Sequence, residues 1–186
     1  MESAHAIFYN SLPSLSEQQL VSCSSSYGNQ GCNGGWYYYA WDYAVVTPLD
    51  TESLYPYTSG NGVTGSCKYS AGSGTYYNSK QTDVSANTTA IKNAIAQQVV
   101  SVAIQADTST FQSYTSGVIT SAACGTNIDH AVAAVGYGTS GTTAYYLVRN
   151  SWGSSWGDNG YVKIGQASGA GICGINQYVA YPTVKP

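Results

Sequence analysis

Two apolar runs decide the fold of this chain: DHAVAAVGYG at positions 129–138 and YYLVRNSWG at positions 145–153. They flank TSGTT at positions 139–143, a polar break with a central glycine and no hydrophobic periodicity. This pattern predicts two antiparallel strands joined by a short loop. With Gly138 taken as the turn, Tyr137 faces Ala144.

The register of this hairpin places a histidine beside an asparagine. Counted outward from the turn, His130 lies opposite Ser151 and within one residue of Asn150, close enough for their side chains to touch. An imidazole that serves as a general base needs a second group to hold its tautomer and ring orientation. An asparagine carbonyl can do this without adding charge. A nucleophile would then have to come from elsewhere in the chain.

Composition sets the broad class of the protein. The chain has 186 residues, of which 8% are charged and 43% are hydrophobic. Charged residues make up about a quarter of ordinary soluble proteins, so other polar residues must supply the surface here. A net charge of −3 without a basic run excludes nucleic acid and anionic membrane surfaces as expected partners. We see no apolar stretch of membrane-spanning length and no signal peptide.

The five cysteines favour disulfides over a metal site. They stand at positions 23, 32, 67, 124 and 173, without the C-x-x-C spacing of zinc ligands. Wide, irregular spacing is typical of disulfides and of an oxidising compartment. An odd number leaves one cysteine over, which indicates either a lost partner or a reactive thiol.

The secondary-structure pattern is segregated. Helices are predicted over 1–10, from a cap at Ser14 or Ser16 onward, over 36–46, and from a cap at Asn87 or Thr88. Strands are predicted over 99–106, 161–164 and 177–181 in addition to the hairpin. Helices first and strands afterwards indicate an α+β fold.

The chain resembles the papain-like cysteine peptidases, especially the cathepsin L-like branch. The motifs that carry this resemblance run in family order: LSEQQLVSC at 15–23, GCNGG at 31–35, YPY at 55–57, DHAV at 129–132, NSWG at 150–153 followed by WG at 156–157 and GY at 160–161, and CGI at 173–175. The resemblance implies a two-lobe fold, with a helical left lobe over 1–83, a β-barrel-like antiparallel right lobe over 84–180, and a tail over 181–186 returning to the left lobe.

The resemblance also implies catalytic roles. His130 would be the general base, Asn150 would orient it, and Trp152 would cover the bond between them. The Cys-Gly-Ser-Cys-Trp motif that carries the family's nucleophile is absent, as is the oxyanion-hole glutamine before it. We therefore expect a chain that lacks the first part of the central helix and is inactive alone. The alternative is a non-catalytic homologue that binds peptides.

Substrate-binding residues follow from the same resemblance. Gly34 and Gly35 would let a peptide backbone approach, although a turn needing positive φ explains them as well. Tyr178 would shorten the pocket that receives the side chain two residues before the cut. Asp129, directly before His130, is also counted among the substrate-binding residues, although a solvated loop carboxylate is the favoured interpretation. The pocket residues are Trp36, Tyr37, Ala103, Ile128, Ala131 and Tyr178.

Further expectations concern cysteines, partners and location. By resemblance, Cys23 pairs with Cys67 and Cys124 with Cys173, which leaves Cys32 as an unpaired thiol. We expect no cofactor or metal, peptide or protein substrates, cystatin-like protein inhibitors, a monomer, and a lysosomal, vacuolar or secreted location. Asn87-Thr88-Thr89 fits a glycosylation acceptor and a helix cap equally well.

Overall fold

The structure is a computed structural model that describes residues 1–185, so Pro186, the last position of the predicted 181–186 tail, lies outside the described residues. The chain divides into two compact units. Unit 1 comprises Met1–Thr82 and the residues from Pro182 onward, and unit 2 comprises Asp83–Tyr181. Helices predominate in unit 1 and strands in unit 2, in agreement with the predicted α+β class.

Unit 1 contains three helices, α1 (Glu2–Tyr9), α2 (Glu17–Cys23) and α3 (Tyr37–Val46). Of the two predicted caps for α2, the structure selects Ser16, whose Oγ accepts a hydrogen bond from the Gln19 backbone N–H at 3.0 Å. The Gln19 side chain does not reach back to complete a capping box. It donates to the Tyr43 hydroxyl and the Pro48 carbonyl instead, which ties α2 to α3.

A buried glutamine orders the long irregular segment of unit 1. Gln18 is 2% exposed, and its Oε1 accepts from the backbone N–H groups of Thr58 and Ser59. Its Nε2 donates to the Ser59 hydroxyl and the Thr64 carbonyl. The predicted disulfide between Cys23 and Cys67 is confirmed and anchors the same segment.

Unit 2 is built on a largely antiparallel sheet. Its strands are β2 (Val100–Ile104), β3 (Val118–Ile119), β4 (His130–Ser140), β5 (Thr143–Arg149), β6 (Tyr161–Gly165) and β7 (Val179–Val184), the last of which belongs to unit 2 as far as Tyr181. They follow the order β7-β2-β4-β5-β6-β3, in which β3 and β6 are parallel. Strand β1 (Asn78–Asp83) belongs to unit 1 except for Asp83. Two helices, α4 (Thr88–Ile95) and α5 (Ser109–Gln112), accompany the sheet.

The predicted hairpin exists, but its predicted register is wrong. Gly141 and Thr142 form a two-residue turn, with Gly141 at φ 58°, and Tyr137 therefore faces Tyr146 rather than Ala144. A two-residue turn with positive φ matches the twist of the flanking strands better than the longer loop taken from the sequence.

A β-bulge then changes the register again. Ala134 pairs with Val148 and Gly136 with Leu147, so Val135 has no partner on β5. One extra residue on one strand bends that strand and re-aims the side chains beyond it. The bulge lies between the turn and the end of the hairpin that carries His130.

The core of unit 2 is apolar and tightly enclosed. Ile91, Ala94 and Ile95 of α4 pack into a cluster of buried side chains from the sheet. The predicted disulfide between Cys124 and Cys173 is confirmed and lies inside this cluster. Among residues 1–185, no helix is long and apolar enough to span a membrane.

Candidate active site

The structure brings His130 and Asn150 into direct contact at the open end of the hairpin. His130 is the first residue of β4, and Asn150 follows directly after β5. His130 Nε2 lies 2.8 Å from Asn150 Oδ1. The asparagine is 8% exposed, whereas the imidazole is half-buried and can still be reached from solvent.

A backbone contact decides which imidazole nitrogen carries the proton. The Ser151 N–H donates to Asn150 Oδ1 at 2.8 Å, which identifies the atom facing it as the carbonyl oxygen of the amide. This same oxygen faces His130 Nε2, which must therefore be the N–H donor. In the neutral ring the other nitrogen, Nδ1, then holds the free lone pair. The geometry presents Nδ1 as the basic atom.

The asparagine leaves one donor unused. Asn150 Nδ2 is buried and has no hydrogen-bond partner among residues 1–185. Buried polar groups are nearly always paired, and an unpaired one costs about 1–3 kcal/mol. Among the described residues, the Asn150 side chain is therefore held through its carbonyl oxygen alone, and its amide nitrogen makes no hydrogen bond.

Trp152 stacks on the imidazole rather than only covering the bond to Asn150. The two ring centroids are 5.1 Å apart and the ring planes are 29° apart. Behind Trp152 lie Phe111 and Trp156, in edge contacts with centroids at 5.5 and 5.4 Å. These three aromatic side chains hold the imidazole ring of His130 in one orientation. No signal in the sequence identifies Phe111 as part of the site, because it stands in the polar stretch DTSTFQS at 107–113, far from the tryptophans in sequence.

The loop after Asn150 depends on a glycine. Gly157 has φ 62°, and a Cβ there would lie 2.6 Å from the Tyr161 carbonyl oxygen, so no other residue fits without a shift. The loop is closed by the Asn150 N–H, which donates to the Gly160 carbonyl at 3.0 Å. This closure holds Asn150 and Trp152 in place.

Asp129 is an exposed loop carboxylate, as favoured from the sequence, but it also forms hydrogen bonds with the backbone. Its Oδ1 accepts from the Ala106 N–H at 2.7 Å, and its Oδ2 accepts from the Asp107 N–H at 3.1 Å. The side chain is exposed, but both oxygens are engaged with the backbone that follows β2. These two bonds hold Asp129, and with it the start of β4 at His130, against the backbone that follows β2.

The pocket residues predicted in unit 2 lie in the sheet or directly beside its strands. Ala103 and Ala131 are paired partners on β2 and β4. The Ala103 N–H donates to the Tyr178 carbonyl at 3.2 Å, and the Tyr178 side chain is 44% exposed. Ile128 is half-buried, two residues before His130. These four residues thus belong to one region of unit 2.

The glycine-rich loop of unit 1 is organised by Asn29. Its Oδ1 accepts from the Trp36 N–H at 2.8 Å, and its Nδ2 donates to the Ser24 hydroxyl at 2.8 Å. Gly35 packs so closely against Asn29 that a Cβ would collide with it. Gly34 has φ 102° with open space around it, so this glycine serves a turn of positive φ, the second interpretation given above.

Gly35 also exposes its backbone. Its N–H and C=O have no hydrogen-bond partner in the part of the chain that the structure describes, and the residue is exposed. The neighbouring Trp36 and Tyr37 are half-buried and in ring contact at 6.0 Å. Unpaired backbone groups on a glycine can form hydrogen bonds with an extended peptide.

Cys32 is the free cysteine of the described residues, as expected, and it is exposed. It lies in the same glycine-rich loop, where its N–H donates to the Thr64 hydroxyl at 3.0 Å. The other four cysteines form the two disulfides. No group of three or more potential metal ligands occurs within residues 1–185.

Comparison with known proteins identifies the family of the chain. The profile of the papain family cysteine proteases matches residues 1–183. The chain belongs to the papain family. It is 44% identical to digestive cysteine proteinase 3 of Homarus americanus, over 99% of this chain and 57% of that protein. It is also 44% identical to cysteine proteinase COT44 of Brassica napus, over 98% and 56% respectively. The papain-family chain thus spans a little over half the length of these curated relatives.

A solved structure shows the same fold. The bromelain protease from Ananas comosus, in complex with the E64 inhibitor, superposes with a TM-score of 0.89 and 34% sequence identity. The match covers 99% of this chain and 84% of the bromelain chain. The papain-like fold expected from the sequence motifs is therefore confirmed.

Proposed function

We propose that this papain-family chain supplies the base and the orienting residue of a cysteine endopeptidase. The observation that carries this proposal is the contact between His130 Nε2–H and Asn150 Oδ1, which leaves Nδ1 free to accept a proton. Trp152 keeps one face of the imidazole dry and limits its rotation. A fixed, half-buried imidazole with a defined basic nitrogen is what general base catalysis requires.

The proposed reaction needs a thiol beside Nδ1. His130 accepts the thiol proton, and the thiolate attacks the peptide carbonyl to form a tetrahedral intermediate. The imidazolium protonates the amine as the C–N bond breaks, which leaves the thioester of the acyl-enzyme. Water then hydrolyses this thioester with His130 again as the base. Asn150 keeps the ring aligned through both proton transfers.

The 186 residues contain no Cys-Gly-Ser-Cys-Trp motif to provide this thiol. Four cysteines are oxidised, and Cys32 lies in the glycine-rich loop with no imidazole among its contacts. A nucleophilic thiolate needs a cationic group or a helix N-terminus beside it. We propose that this polypeptide alone does not hydrolyse peptides and that a motif-borne thiol completes the site.

The proposed substrates are peptides in extended conformation. The unpaired backbone of Gly35 would form hydrogen bonds with the substrate backbone. The apolar side chain two residues before the cut would contact Ala103, Ala131 and Tyr178. The tyrosine would shorten the space available, so the completed enzyme should cleave substrates with Leu or Val at that position faster than substrates with Phe there. Fastest cleavage of the Phe substrate would contradict this.

Location and partners follow from the same proposal. Two disulfides indicate folding in an oxidising compartment, so we propose a secreted, lysosomal or vacuolar protein. Cystatin-like inhibitors and a monomeric state remain predictions of the family resemblance.

The decisive experiment supplies the missing thiol. The 186-residue chain is compared with a chimaera in which a relative's segment containing Gln and Cys-Gly-Ser-Cys-Trp is joined before Met1. We expect activity against a peptide substrate and E-64 labelling of the chimaera only. His130→Ala in the chimaera should lower kcat about 10²–10⁴-fold, because the general base is lost. Asn33→Ala, an exposed change in the glycine-rich loop, is the matched control and should keep activity.

Two outcomes would contradict the proposal. Turnover by the 186-residue chain alone, abolished by Cys32→Ser, would make Cys32 the nucleophile. An inactive but folded chimaera that still binds the substrate peptide would favour the peptide-binding module.

A further inference from the structure

One motif remains outside the peptidase site. Asn87-Thr88-Thr89 is the single Asn-x-Ser/Thr sequence, with x other than proline, in the 186 residues. This sequence is the acceptor for N-linked glycans, which are bulky and lie on protein surfaces. The sequence alone leaves glycosylation and helix capping as equal alternatives.

The structure shows that the two roles use different atoms. Asn87 caps α4 in an extended conformation, and its Oδ1 accepts from the Ala90 N–H at 2.8 Å. The Nδ2 atom, to which a glycan would be attached, has no hydrogen-bond partner among the described residues. A glycosylated asparagine keeps its carbonyl oxygen, so the cap survives the modification.

The surroundings leave room for a glycan. Ser85, Ala86, Asn87 and Thr89 are all exposed. The helix turns its apolar residues into the core of unit 2 instead, through Ile91, Ala94 and Ile95. A glycan at the first turn therefore displaces no packed side chain.

The cysteines supply an independent indication of the compartment. The Cys124–Cys173 disulfide of the same unit has both residues at 1% exposure or less, so it belongs to the folded core. Disulfides form in the secretory pathway of eukaryotic cells and are rare in the cytosol. N-linked glycans are attached in that same pathway.

We propose that Asn87 carries an N-linked glycan. The donor is a lipid-diphosphate-linked oligosaccharide. The bond between the sugar C1 and the phosphate oxygen breaks, and a bond between C1 and Asn87 Nδ2 forms. The amide loses one proton, and the lipid diphosphate leaves. The site does not depend on the peptidase function, and its modification changes none of the groups at His130.

The test translates the full chain behind a cleavable secretory leader, in the presence of microsomes. We expect a slower band that PNGase F converts to the unmodified mobility, with Asn87 recovered as Asp in the peptide mass spectrum. Thr88→Ala should keep the slower band, because the middle residue of the acceptor sequence can be any residue except proline. Thr89→Ala and Asn87→Asp should abolish it. Asp is an equally good N-cap, so its loss of the band cannot be due to a lost cap.

Folding of a variant does not affect this readout, because transfer takes place on the nascent chain. An unmodified wild-type chain, or a slower band that persists in Thr89→Ala, would overturn the proposal. The glycosylated fraction should also form the Cys124–Cys173 disulfide as completely as the fraction treated with PNGase F. Free thiols confined to the glycosylated fraction would overturn the inference that glycan and fold are compatible.

Discussion

Two asparagines, one in each unit, do the same first task and differ in the second. Asn29 in unit 1 and Asn150 in unit 2 each accept a backbone N–H at 2.8 Å through Oδ1. Asn29 then pairs its Nδ2 with the Ser24 hydroxyl, so both ends of the amide are satisfied. Asn150 offers the second lone pair of Oδ1 to His130 and leaves Nδ2 buried without a partner among residues 1–185.

Under the proposed function, the difference separates an asparagine that serves the fold, Asn29, from one that serves a reaction, Asn150. An amide that organises a loop gains from every hydrogen bond it makes. An amide that holds an imidazole must keep its oxygen on the ring, whatever happens to its nitrogen. The unpaired Nδ2 of Asn150 is therefore understandable as a cost of placing the proton on His130 Nε2.

Of the substitutions that test this comparison, Asn150→Ala should have the largest effect. In the chimaera that carries the thiol, Asn150→Ala should lower kcat roughly 10–100-fold, because an unheld imidazole loses part of the general-base contribution. KM should change little, since Asn150 is 8% exposed and does not line the predicted pocket. Steady-state kinetics with a peptide substrate measure both.

The control for this change is Asn29→Ala in the same chimaera. Any loss of its activity should follow the loss of folded protein, and kcat per active site, from E-64 titration, should be unchanged. An equal fall in kcat for both variants would abolish the distinction drawn between the two asparagines.

Removing Asn29 should have the larger effect on stability. Asn29→Ala leaves the Trp36 N–H and the Ser24 hydroxyl without their partner, and we expect the free energy of unfolding to fall by about 1–3 kcal/mol. Asn33→Ala removes an exposed amide from the same loop and should change it by less than about 0.5 kcal/mol. Urea unfolding followed by tryptophan fluorescence measures both. A greater loss for Asn33→Ala would contradict the assignment.

Among the substitutions of Asn150, Asn29 and Tyr146, that of Tyr146 should have the smallest effect on activity and stability. It also gives the clearest contrast with substitution of Asn150. Its side chain is fully buried, and its hydroxyl also lacks a partner in the described part of the chain, but it lies in the core of unit 2. Tyr146→Phe should therefore leave activity unchanged and raise the free energy of unfolding by about 1 kcal/mol. Tyr137→Phe, at the exposed partner position on β4, should change neither.

The same tyrosine predicts a pH dependence. Burial raises the pKa of Tyr146 to about 12, from an ordinary value of 10.0. The folded state therefore holds this proton more tightly than the unfolded state. Its contribution to stability is complete below pH 10 and is lost as the pH rises from 10 to 12. Tyr146→Phe should show a shallower loss of stability over this range, and an identical profile in both proteins would contradict the raised pKa.

The sequence predicted the site better than it predicted the strand pairing that builds the site. The apolar runs identified both strands, and the short loop identified the hairpin. The bulge at Val135 carries no clear signal in the sequence, because apolar residues and glycine stand on both sides of it. The exact turn residues are not evident either, because the whole stretch TSGTT at 139–143 is polar. The two register errors partly cancel, so His130 still meets Asn150.

Other features could not be predicted from the sequence, because they depend on contacts in three dimensions. Ser16 and Ser14 are equally good caps by type, and only the position of α2 decides between them. Phe111 lies about forty residues from Trp152 in sequence, so its contact with Trp152 depends on the long-range packing of unit 2. The buried amide of Gln18 shows the same limitation, since its partners near Thr58 are set by the path of an irregular segment.

Because Trp152 stacks on His130, tryptophan fluorescence can be used as a probe of this site. When the imidazole takes up a proton, the ring contact becomes one between a cation and the face of an indole, which strengthens the pair. Indole emission depends on such a neighbouring charge, so the contribution of Trp152 to the fluorescence of the four tryptophans should depend on the charge of His130. The stack can thus be examined by fluorescence without any substrate.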